Sequence, residues 1–389
     1  MENLDKNLIR EMTLWRRQLH SQPETGFEVH QTAELVAKLL TSFGLEVHTG
    51  IGQTGIVAVL TNGESNLAIG LRADMDALQI QEHNTFDHRS KYDGKMHACG
   101  HDGHSSMLLG AAKHLSENRN FNGTIYFIFQ PNEEHGLGAQ AMIDDGLFER
   151  FPMQSIFGIH NMPGMEAGRL SMRSGPVMAS EDNFVITIKG RGGHASQPHH
   201  HIDPIVIGAE IIMALQTIVS RTISPEQQAV VSVTEIDTDG AVNVIPSNVI
   251  IKGDCRCFGD EVRGQIETQM GQLVKGICRA HGAQHEYEYI RLFHSTINDE
   301  EQTIAAYNAA VEAVGEGNVE KNCKPLTISE DFSSMLRVKA GCYIFIGNGI
   351  DSVGGCMLHN PNYDFNDNIS ATGVRYWSTL VEQKLPLNI

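Results

Sequence analysis

Candidate metal ligands are concentrated in one short segment of this chain and recur at distant places along it. The segment Met96–His104 carries a thiol, three imidazoles and a carboxylate within nine residues. Thiolate and imidazole groups are the side chains that most often hold divalent transition metals. Further candidates lie at Asp74–Asp76, Glu133–His135, His160 and His359. This spacing predicts a metal site that separate loops assemble only when the chain folds.

Several of these candidates follow apolar runs that are typical of buried strands. Such runs occur at Asn66–Leu71, Thr124–Phe129, Ser155–Ile159 and Cys342–Ile346. Asp74 and the Glu pair come shortly after the first two runs, and His160 comes directly after the third. A loop carrying Cys99 and His101 is predicted to open a small-residue helix over Ser105–Leu115. Because open α/β sheets place their crevice at the carboxyl ends of the strands, these loops are expected to converge there.

The pattern changes near Ser180 and returns near residue 296, which predicts two domains in these 389 residues. Residues 1–180 and 296–389 are predicted to form one discontinuous α/β domain, with a mostly parallel mixed sheet between helices. Residues 181–295 alternate as β-α-β-β-α-β, which predicts an inserted ferredoxin-like α+β domain. Its predicted elements are strands at Asn183–Lys189, Ala229–Glu235, Val249–Cys257 and His285–Ile290, and helices starting at Asp203 and spanning Glu261–His281.

The charge balance restricts the partners. Lys and Arg number 29 against 47 Asp and Glu, a net charge of −18. Such a chain is not expected to bind nucleic acid or an anionic membrane surface. An anionic substrate would need a local cationic pocket.

The cysteine content and the apolar pattern predict a cytoplasmic protein. Seven cysteines, an odd number, indicate reduced thiols rather than a disulfide framework. Leu8, Met12, Trp15 and Leu19 recur at helical spacing, so the first residues resemble an amphipathic helix more than a signal peptide. No stretch is expected to provide the ~18 apolar residues of a membrane helix.

The Glu133–Glu134 pair suggests catalysis. Two adjacent carboxylates in a crevice repel each other unless a cation neutralises one of them or one carries a proton. In a metal site they divide naturally, one binding metal and the other serving as acid–base for an attacking water. A solvated Glu pair on the surface is the alternative.

The thiol and histidine motifs are also compatible with different chemistry. Cys99 could be a buried structural thiol beside a helix-capping His101, or the nucleophile of a metal-independent hydrolase. The chain could also bind metal without catalysis, although storage needs no acid–base group. The tract His199–His201 is interpreted as solvated, and Cys255 and Cys257 lack the second pair of a zinc ribbon.

The motifs occur in an order typical of a known family. They are RADMDAL, MHACGHDGHSSMLLGAA, QPNEEHGLGA, GIHNMPG, GRGGHASQPH, NVIPSN, SEDFS and LHNP. From His20 to about Asp367 the chain resembles the co-catalytic metallo-amidohydrolase and peptidase family. The hippurate hydrolase branch is most similar; it includes N-acyl-L-amino acid amidohydrolases and plant indoleacetyl-amino-acid hydrolases. The resemblance implies two divalent metal ions (Zn, Mn, Co or Ni), and an inserted domain that acts as lid and dimerisation domain.

The metal ligands are carried over from this resemblance. Cys99 corresponds to the bridging ligand. His101 and Glu134 are expected to bind one ion, and His160 the other, together with His359.

Catalytic and substrate-binding roles are carried over in the same way. Glu133 corresponds to the acid–base and Asp76 to a carboxylate that orients a ligand. His194 corresponds to an imidazole that steadies the oxyanion, often in the site of the partner subunit. Asn243 and Arg256 correspond to a pair that holds the substrate carboxylate, with a surface salt bridge as the alternative for the arginine.

The resemblance implies metal-dependent hydrolysis of the amide bond of N-acyl-L-amino acids, which releases a carboxylic acid and an amino acid. The substrate is expected to be hippurate-like or an N-acetyl amino acid. A dipeptidase, an aminoacyl peptidase or an N-acetyl-diaminopimelate deacetylase with the same dinuclear site is the alternative. A homodimer through the inserted domain is expected, without nucleic acid or membrane partners.

Overall fold

The computed structural model describes residues 4–351 and 354–387, which form two compact units. The larger unit runs to Val177, continues with Thr296–Lys324 and resumes from Glu330 onwards. The smaller unit comprises Met178–Ser295 and Pro325–Ser329. The short stretch Pro325–Ser329 is not part of the insertion predicted for residues 181–295.

The elements of the described residues are numbered in chain order. The α-helices are α1 (Lys6–Ser21), α2 (His30–Ser42), α3 (His101–Glu117), α4 (Gly138–Asp144), α5 (Leu147–Arg150), α6 (Pro204–Thr217), α7 (Asp260–Ala280), α8 (Glu300–Val314), α9 (Phe332–Val338) and α10 (Ser370–Lys384). The strands are β1 (Glu46–Ile51), β2 (Gly55–Asn62), β3 (Ala68–Asp74), β4 (Gly123–Gln130), β5 (Ser155–Pro163), β6 (Leu170–Ser171), β7 (Gly175–Met178), β8 (Glu181–Lys189), β9 (Gly193–His194), β10 (Ala229–Thr238), β11 (Val244–Ile245), β12 (Asn248–Cys257), β13 (Gln284–Phe293), β14 (Thr296–Asn298), β15 (Val319–Glu320) and β16 (Gly341–Gly349).

The larger unit is built on one mixed sheet with the strand order β1-β2-β4-β3-β5-β16-β6-β15. The central strands β4, β3, β5 and β16 are parallel, whereas β2 is antiparallel to β4 and to the edge strand β1. Arg72 of β3 lies opposite Ile128 and Gly158, and His160 of β5 lies opposite Phe345. Every residue of β3 and β16 is buried, as expected for parallel strands covered on both faces. The predicted mostly parallel α/β sheet is confirmed.

Two helices begin where local sequence chemistry favours it. Asp5 accepts a hydrogen bond from the backbone N–H of Asn7 at the start of α1. Asp203 does the same for Ile205 at the start of α6, where Pro204 occupies the first helical position. Each helix then buries one apolar stripe.

Several elements begin earlier or end later than the sequence predicts. Helix α3 starts at His101 rather than Ser105, with Asp102 in its first turn, where a carboxylate complements the helix dipole. Strand β5 includes His160 instead of ending before it, and β3 extends to Asp74. The polar side chains do not interrupt these strands, because the sheet ladder uses only backbone groups.

The smaller unit has a four-stranded antiparallel sheet with the order β10-β12-β8-β13. Its elements follow one another as β8-α6-β10-β12-α7-β13, the predicted β-α-β-β-α-β order. Alternate residues of β8 are buried, including Phe184, Ile186 and Ile188, and they share a core with α6 and α7. Strand β10 forms one edge of this sheet.

Helix α6 is unusually apolar for a surface helix. Ile207, Ile211 and Leu215 are buried, while Val206 and Met213 on other faces are exposed. With the π-helical turn that continues it, the segment Pro204–Thr222 is long and apolar enough to cross a membrane by length and composition alone. The expectation that no such stretch occurs anywhere in the chain is wrong by this measure. One stripe of α6 belongs to the core of the smaller unit, and a second apolar face remains uncovered.

Candidate active site

The structure brings the five predicted metal ligands into one cluster in the larger unit. Ligand atoms of Cys99, His101 and His160 all lie within 4.8 Å of one another, as do those of Cys99, Glu134 and His359. Cys99 belongs to both groups. Its Sγ lies 3.4 Å from Nε2 of His160, and Nε2 of His359 lies 3.6 Å from Oε2 of Glu134.

The grouping matches the pairing expected from the resemblance only in part. His101 and Glu134 share a group with Glu133, as expected if they bind one ion. His160 shares a group with His101, and His359 shares one with Glu134. Among the described residues, no such group contains both His160 and His359.

Backbone carbonyls set the orientation of two imidazoles. His101 contacts the carbonyl oxygen of Asp76 through Nδ1 at 2.8 Å, and His160 contacts that of Asn161 at 2.7 Å. Because a carbonyl oxygen can only accept, both Nδ1 atoms carry the hydrogen. The lone pair of each ring is therefore on Nε2, as is usual for a metal-binding histidine.

Two buried ligand atoms have no hydrogen-bond partner among the described residues. They are Nε2 of His101 and Oε1 of Glu134, which lie 3.8 Å apart. Buried polar atoms in native proteins are nearly always paired, so two unpaired atoms beside a thiol are unusual. A divalent cation would satisfy both atoms, and the thiol, imidazole and carboxylate donors fit such a group.

The electrostatics of the cluster also favour a bound cation. Burial and the charges of Glu330 and Glu134 raise the pKa of Glu133 well above its usual range. Burial also raises the pKa of Glu134 to about 7 and that of the Cys99 thiol well above its ordinary value. Nearby cations would favour the charged forms of all three groups.

The two oxygens of Glu133 have different surroundings. Oε1 accepts a hydrogen bond from the backbone N–H of Asp331 at 3.4 Å. Oε2 lies 3.9 Å from Nε2 of His101, on the side of the metal-ligand cluster. One oxygen is thus anchored to the protein, and the other faces the cluster.

Asp76 organises this site through both its side chain and its backbone. Its carboxylate accepts hydrogen bonds from the backbone N–H groups of Glu133 and Glu134, at 2.9 and 3.2 Å. Its backbone carbonyl accepts the hydrogen bond that Nδ1 of His101 donates. A single buried residue therefore positions the Glu pair and one imidazole.

Sequence reasoning missed the role of Arg72, which is 1% exposed in the centre of β3. Its guanidinium donates to Asp74 at 2.7 Å, to Glu330 at 2.9 Å and to Asp331 at 3.1 Å. Asp74 also bonds to His104 at 2.7 Å. Both carboxylate oxygens of Asp74, a candidate metal ligand in the sequence, are therefore hydrogen-bonded within the protein. A cation inside an otherwise apolar strand was the available signal.

A second buried network, also missed, supports the start of α3. Arg16 and His20 contact the Asp102 carboxylate at 3.5 and 2.8 Å, and His20 reaches Glu82 at 3.1 Å. Burial by itself would lower the pKa of His20, but the charge of Asp102 and these hydrogen bonds raise it to about 9. The positively charged His20 therefore holds Asp102, the residue that directly follows His101, in place.

Gly100 is required by the turn between Cys99 and His101. Its φ is +97°, in the region that favours glycine. A Cβ at this position would lie 2.1 Å from Oδ1 of Asn161 and 2.5 Å from the hydroxyl oxygen of Tyr363. Any larger residue at this position would force Asn161 or Tyr363 to move and would strain the backbone.

His194 and Asn243 are neighbours in the smaller unit. His194 pairs with Val244 across β9 and β11, and the carbonyl of Asn243 accepts from the N–H of Ala195 at 3.0 Å. The imidazole of His194 is exposed and contacts Ser196 through Nδ1.

Arg256 is not beside Asn243. Asn243 precedes the first residue of β12, Asn248, whereas Arg256 is the next-to-last residue of that strand. Eight steps of about 3.3 Å place Arg256 about 26 Å beyond Asn248. The Arg256 guanidinium pairs with Glu181 at 2.8 Å and Asp254 at 3.0 Å. A single chain therefore does not bring Asn243 and Arg256 to one carboxylate.

Comparison with known proteins agrees with this site. Residues 70–383 match the profile of Peptidase family M20/M25/M40. A hippurate hydrolase from Campylobacter jejuni is 43% identical over 365 residues, which cover 94% of each chain. An N-acyl-L-amino acid amidohydrolase from Geobacillus stearothermophilus is 42% identical over 289 residues, 74% of this chain and 78% of that one.

One solved structure with the same fold is described as containing a dinuclear metal site. It is a dinuclear metal binding peptidase of the M20 family from Bacillus subtilis, with a TM-score of 0.84 and 32% identity. The match covers 97% of this chain and 98% of that one. Fold, site and relatives together define an amidohydrolase. The chain belongs to Peptidase family M20/M25/M40, which confirms the resemblance found in the motifs.

Proposed function

We propose that this amidohydrolase cleaves the amide bond of N-acyl-L-amino acids, hippurate or N-acetyl amino acids among them. The observation that carries the proposal is the placement of Glu133, with one oxygen anchored and the other facing the ligand cluster. The names of the two sequence relatives supply the substrate class.

The cofactor in this proposal is a pair of divalent cations, Zn, Mn, Co or Ni. Cys99, His101, Glu134, His160 and His359 would hold them. Such ions, when bound, polarise the acyl carbonyl and make water acidic enough to attack near neutral pH. The thiolate and imidazole donors do not by themselves select one of the four metals.

Glu133 carries the proton in this reaction. Oε2 accepts a proton from the attacking water as the oxygen bonds to the acyl carbon. The same proton then passes to the amide nitrogen as the C–N bond breaks, which releases the amine of the amino acid. His194 donates to the developing oxyanion, and Asn243 or Arg256 binds the α-carboxylate.

We propose that the chain acts as a homodimer through its smaller unit. The uncovered face of α6 exposes Ile205, Val206 and Met213, and the edge strand β10 exposes Val230 and Ile236. Exposed edge strands pair readily with a second copy, and contiguous apolar surface favours association. A second copy of the chain, related by a two-fold axis, would pair with β10 and cover the apolar face of α6.

A dimer would also explain the separation of His194 and Arg256. The chain enters and leaves the smaller unit beside Cys257, whose carbonyl accepts from Ser180 N at 2.8 Å and from Ser295 Oγ at 3.1 Å. This is the Arg256 end of β12, and His194 lies near the opposite end. We assign His194 and Asn243 to the site of the partner subunit, as the family resemblance implies for the imidazole.

Mixing two inactive variants tests this shared site. His194→Ala and Glu133→Gln protomers, unfolded and refolded together, should regain about a quarter of wild-type activity if pairing is random. Half of the dimers would then contain one site with both groups intact. Tags of different size on the two variants report mixed dimers directly. Mixed dimers without recovered activity would contradict the assignment of His194.

A substrate panel tests the activity itself. Hippurate and N-acetyl amino acids should be hydrolysed with higher kcat/KM than dipeptides that carry a free amine. N-benzoylglycinamide, which lacks only the carboxylate of hippurate, should lose at least about tenfold in kcat/KM, since a charged hydrogen bond contributes about 1.5–3 kcal/mol. Efficient cleavage of dipeptides alone would favour the peptidase alternative.

The cytoplasm is the proposed location. All seven cysteines are free thiols, and Cys99 must stay reduced to bind metal.

A further inference from the structure

The acid–base carboxylate is held by the turn Glu330–Asp331, which lies almost 200 residues further along the chain. We propose that Asp331 is a positioning residue for Glu133. Its backbone N–H fixes Oε1 of Glu133, so that Oε2 is the atom that exchanges the proton. This inference rests on the proposed function, in which Glu133 is the acid–base.

The side chain of Asp331 keeps its backbone N–H in place. Oδ1 accepts hydrogen bonds from Arg72 at 3.1 Å and from the side-chain amide of Gln130 at 2.7 Å. Oδ2 accepts from the N–H of Ala139 at 2.9 Å. Asp331 is 1% exposed, so these bonds do not compete with water. Both carboxylate oxygens are thus fixed by strands β3 and β4 and helix α4.

Glu330 fixes the same turn from its other side. Its carboxylate accepts from Arg72 at 2.9 Å, from the N–H of Phe332 at 2.9 Å, and from the hydroxyl of Tyr343. Arg72 therefore joins both acidic side chains of the turn. Glu133, Glu330 and Asp331 place carboxylate oxygens within 4.8 Å of one another, and the guanidinium already supplies positive charge there.

Anchoring one oxygen matters because a carboxylate rotates easily about its last torsion. Without the N–H of Asp331, either oxygen of Glu133 could face the cluster in a broad range of orientations. With Oε1 held, Oε2 stays 3.9 Å from Nε2 of His101. The anchor should therefore affect the proton-transfer step more than substrate binding.

Two substitutions at Asp331 isolate the N–H from the side chain. Asp331→Ala and Asp331→Pro both remove the carboxylate, but only proline removes the N–H. The φ of Asp331 is −78°, within the range of proline, and the position directly precedes α9, where proline is tolerated. The proline variant should have a kcat roughly ten- to a hundredfold below that of the alanine variant. KM and metal content should differ little between the two.

The two variants also separate positioning from stability. Metal content and thermal midpoint are measured for each, because a merely structural loss would lower these together with activity. Equal kcat values for folded, metal-loaded alanine and proline variants would overturn the proposal. Loss of bound metal from the proline variant alone would overturn it as well.

A second substitution covers the case in which the proline variant does not fold. Gln130→Ala removes a neutral partner of Asp331 and leaves every charge in place. Its kcat should fall by roughly three- to tenfold with unchanged metal content, because the hydrogen bonds of the Gln130 amide to Asp331 and to Arg72 are both lost. An unchanged kcat would contradict the proposal. Failure of the proposed function is distinguishable, since wild-type protein would then not hydrolyse the substrate panel.

Discussion

Replacement of Glu133 by glutamine should lower kcat for hippurate by roughly a hundred- to ten-thousandfold, the usual contribution of a positioned general base. Glutamine has nearly the same size and can still accept the hydrogen bond from Asp331, but it cannot take a proton from water. The variant should keep its bound metal, because Glu133 is not among the five expected ligands. Steady-state kinetics together with elemental analysis would measure both effects.

The matched control is Glu64→Gln. Glu64 is exposed in the loop before β3 and is not one of the proposed site residues. That variant should retain kcat within a factor of about two, as expected for surface substitutions. A near wild-type rate for Glu133→Gln, with the metal retained, would show that another group carries the proton.

Removal of metal should abolish hydrolysis altogether. Dialysis against dipicolinate should give inactive protein, and addition of Zn or Mn should restore the rate. A metal-independent hydrolase with Cys99 as nucleophile would instead remain active. Burial raises the pKa of the Cys99 thiol, which leaves little reactive thiolate without a cation. Survival of activity in metal-free protein would favour the cysteine mechanism.

The stoichiometry of the same samples tests the dinuclear site. Wild-type protein should bind two ions per chain, and Cys99→Ala should lose affinity for both, because the thiol belongs to both ligand groups. One ion per wild-type chain, or loss of only one ion from the variant, would contradict a bridging role for Cys99.

Glu134 and His160 could be predicted as ligands because they lie at or near the ends of parallel strands. Apolar runs before Asp74, Glu133 and His160 mark those strands, and parallel strands present their carboxyl ends on one edge of the sheet. The roles of the ligands came from the motifs instead. Their grouping could not be predicted, because it depends on how β5, α3 and separate loops meet in space.

The supporting charges were harder to predict than the ligands. Arg72 and Glu330 are 258 positions apart, and no local pattern links them. What could be predicted is that a buried arginine in β3 needs acidic partners, since an unpaired buried charge costs several kcal/mol. Which acids pair with it follows from the order of strands in the sheet.

The expected partnership of Asn243 and Arg256 shows a different limit. The resemblance supplies both residues but not their separation, which follows from the length of β12. An extended strand cannot fold back on itself, so residues at its two ends lie far apart.

The five residues Pro325–Ser329 have a practical consequence for anyone who wishes to express the smaller unit alone. The Ser329 hydroxyl donates to Glu181 at 2.6 Å and accepts from Arg256 at 3.2 Å. A fragment cut at Met178 and Ser295 would omit that hydroxyl and leave the guanidinium and carboxylate with altered partners. A spliced gene, with the missing stretch rejoined through a short linker, is the better starting point for biophysical work.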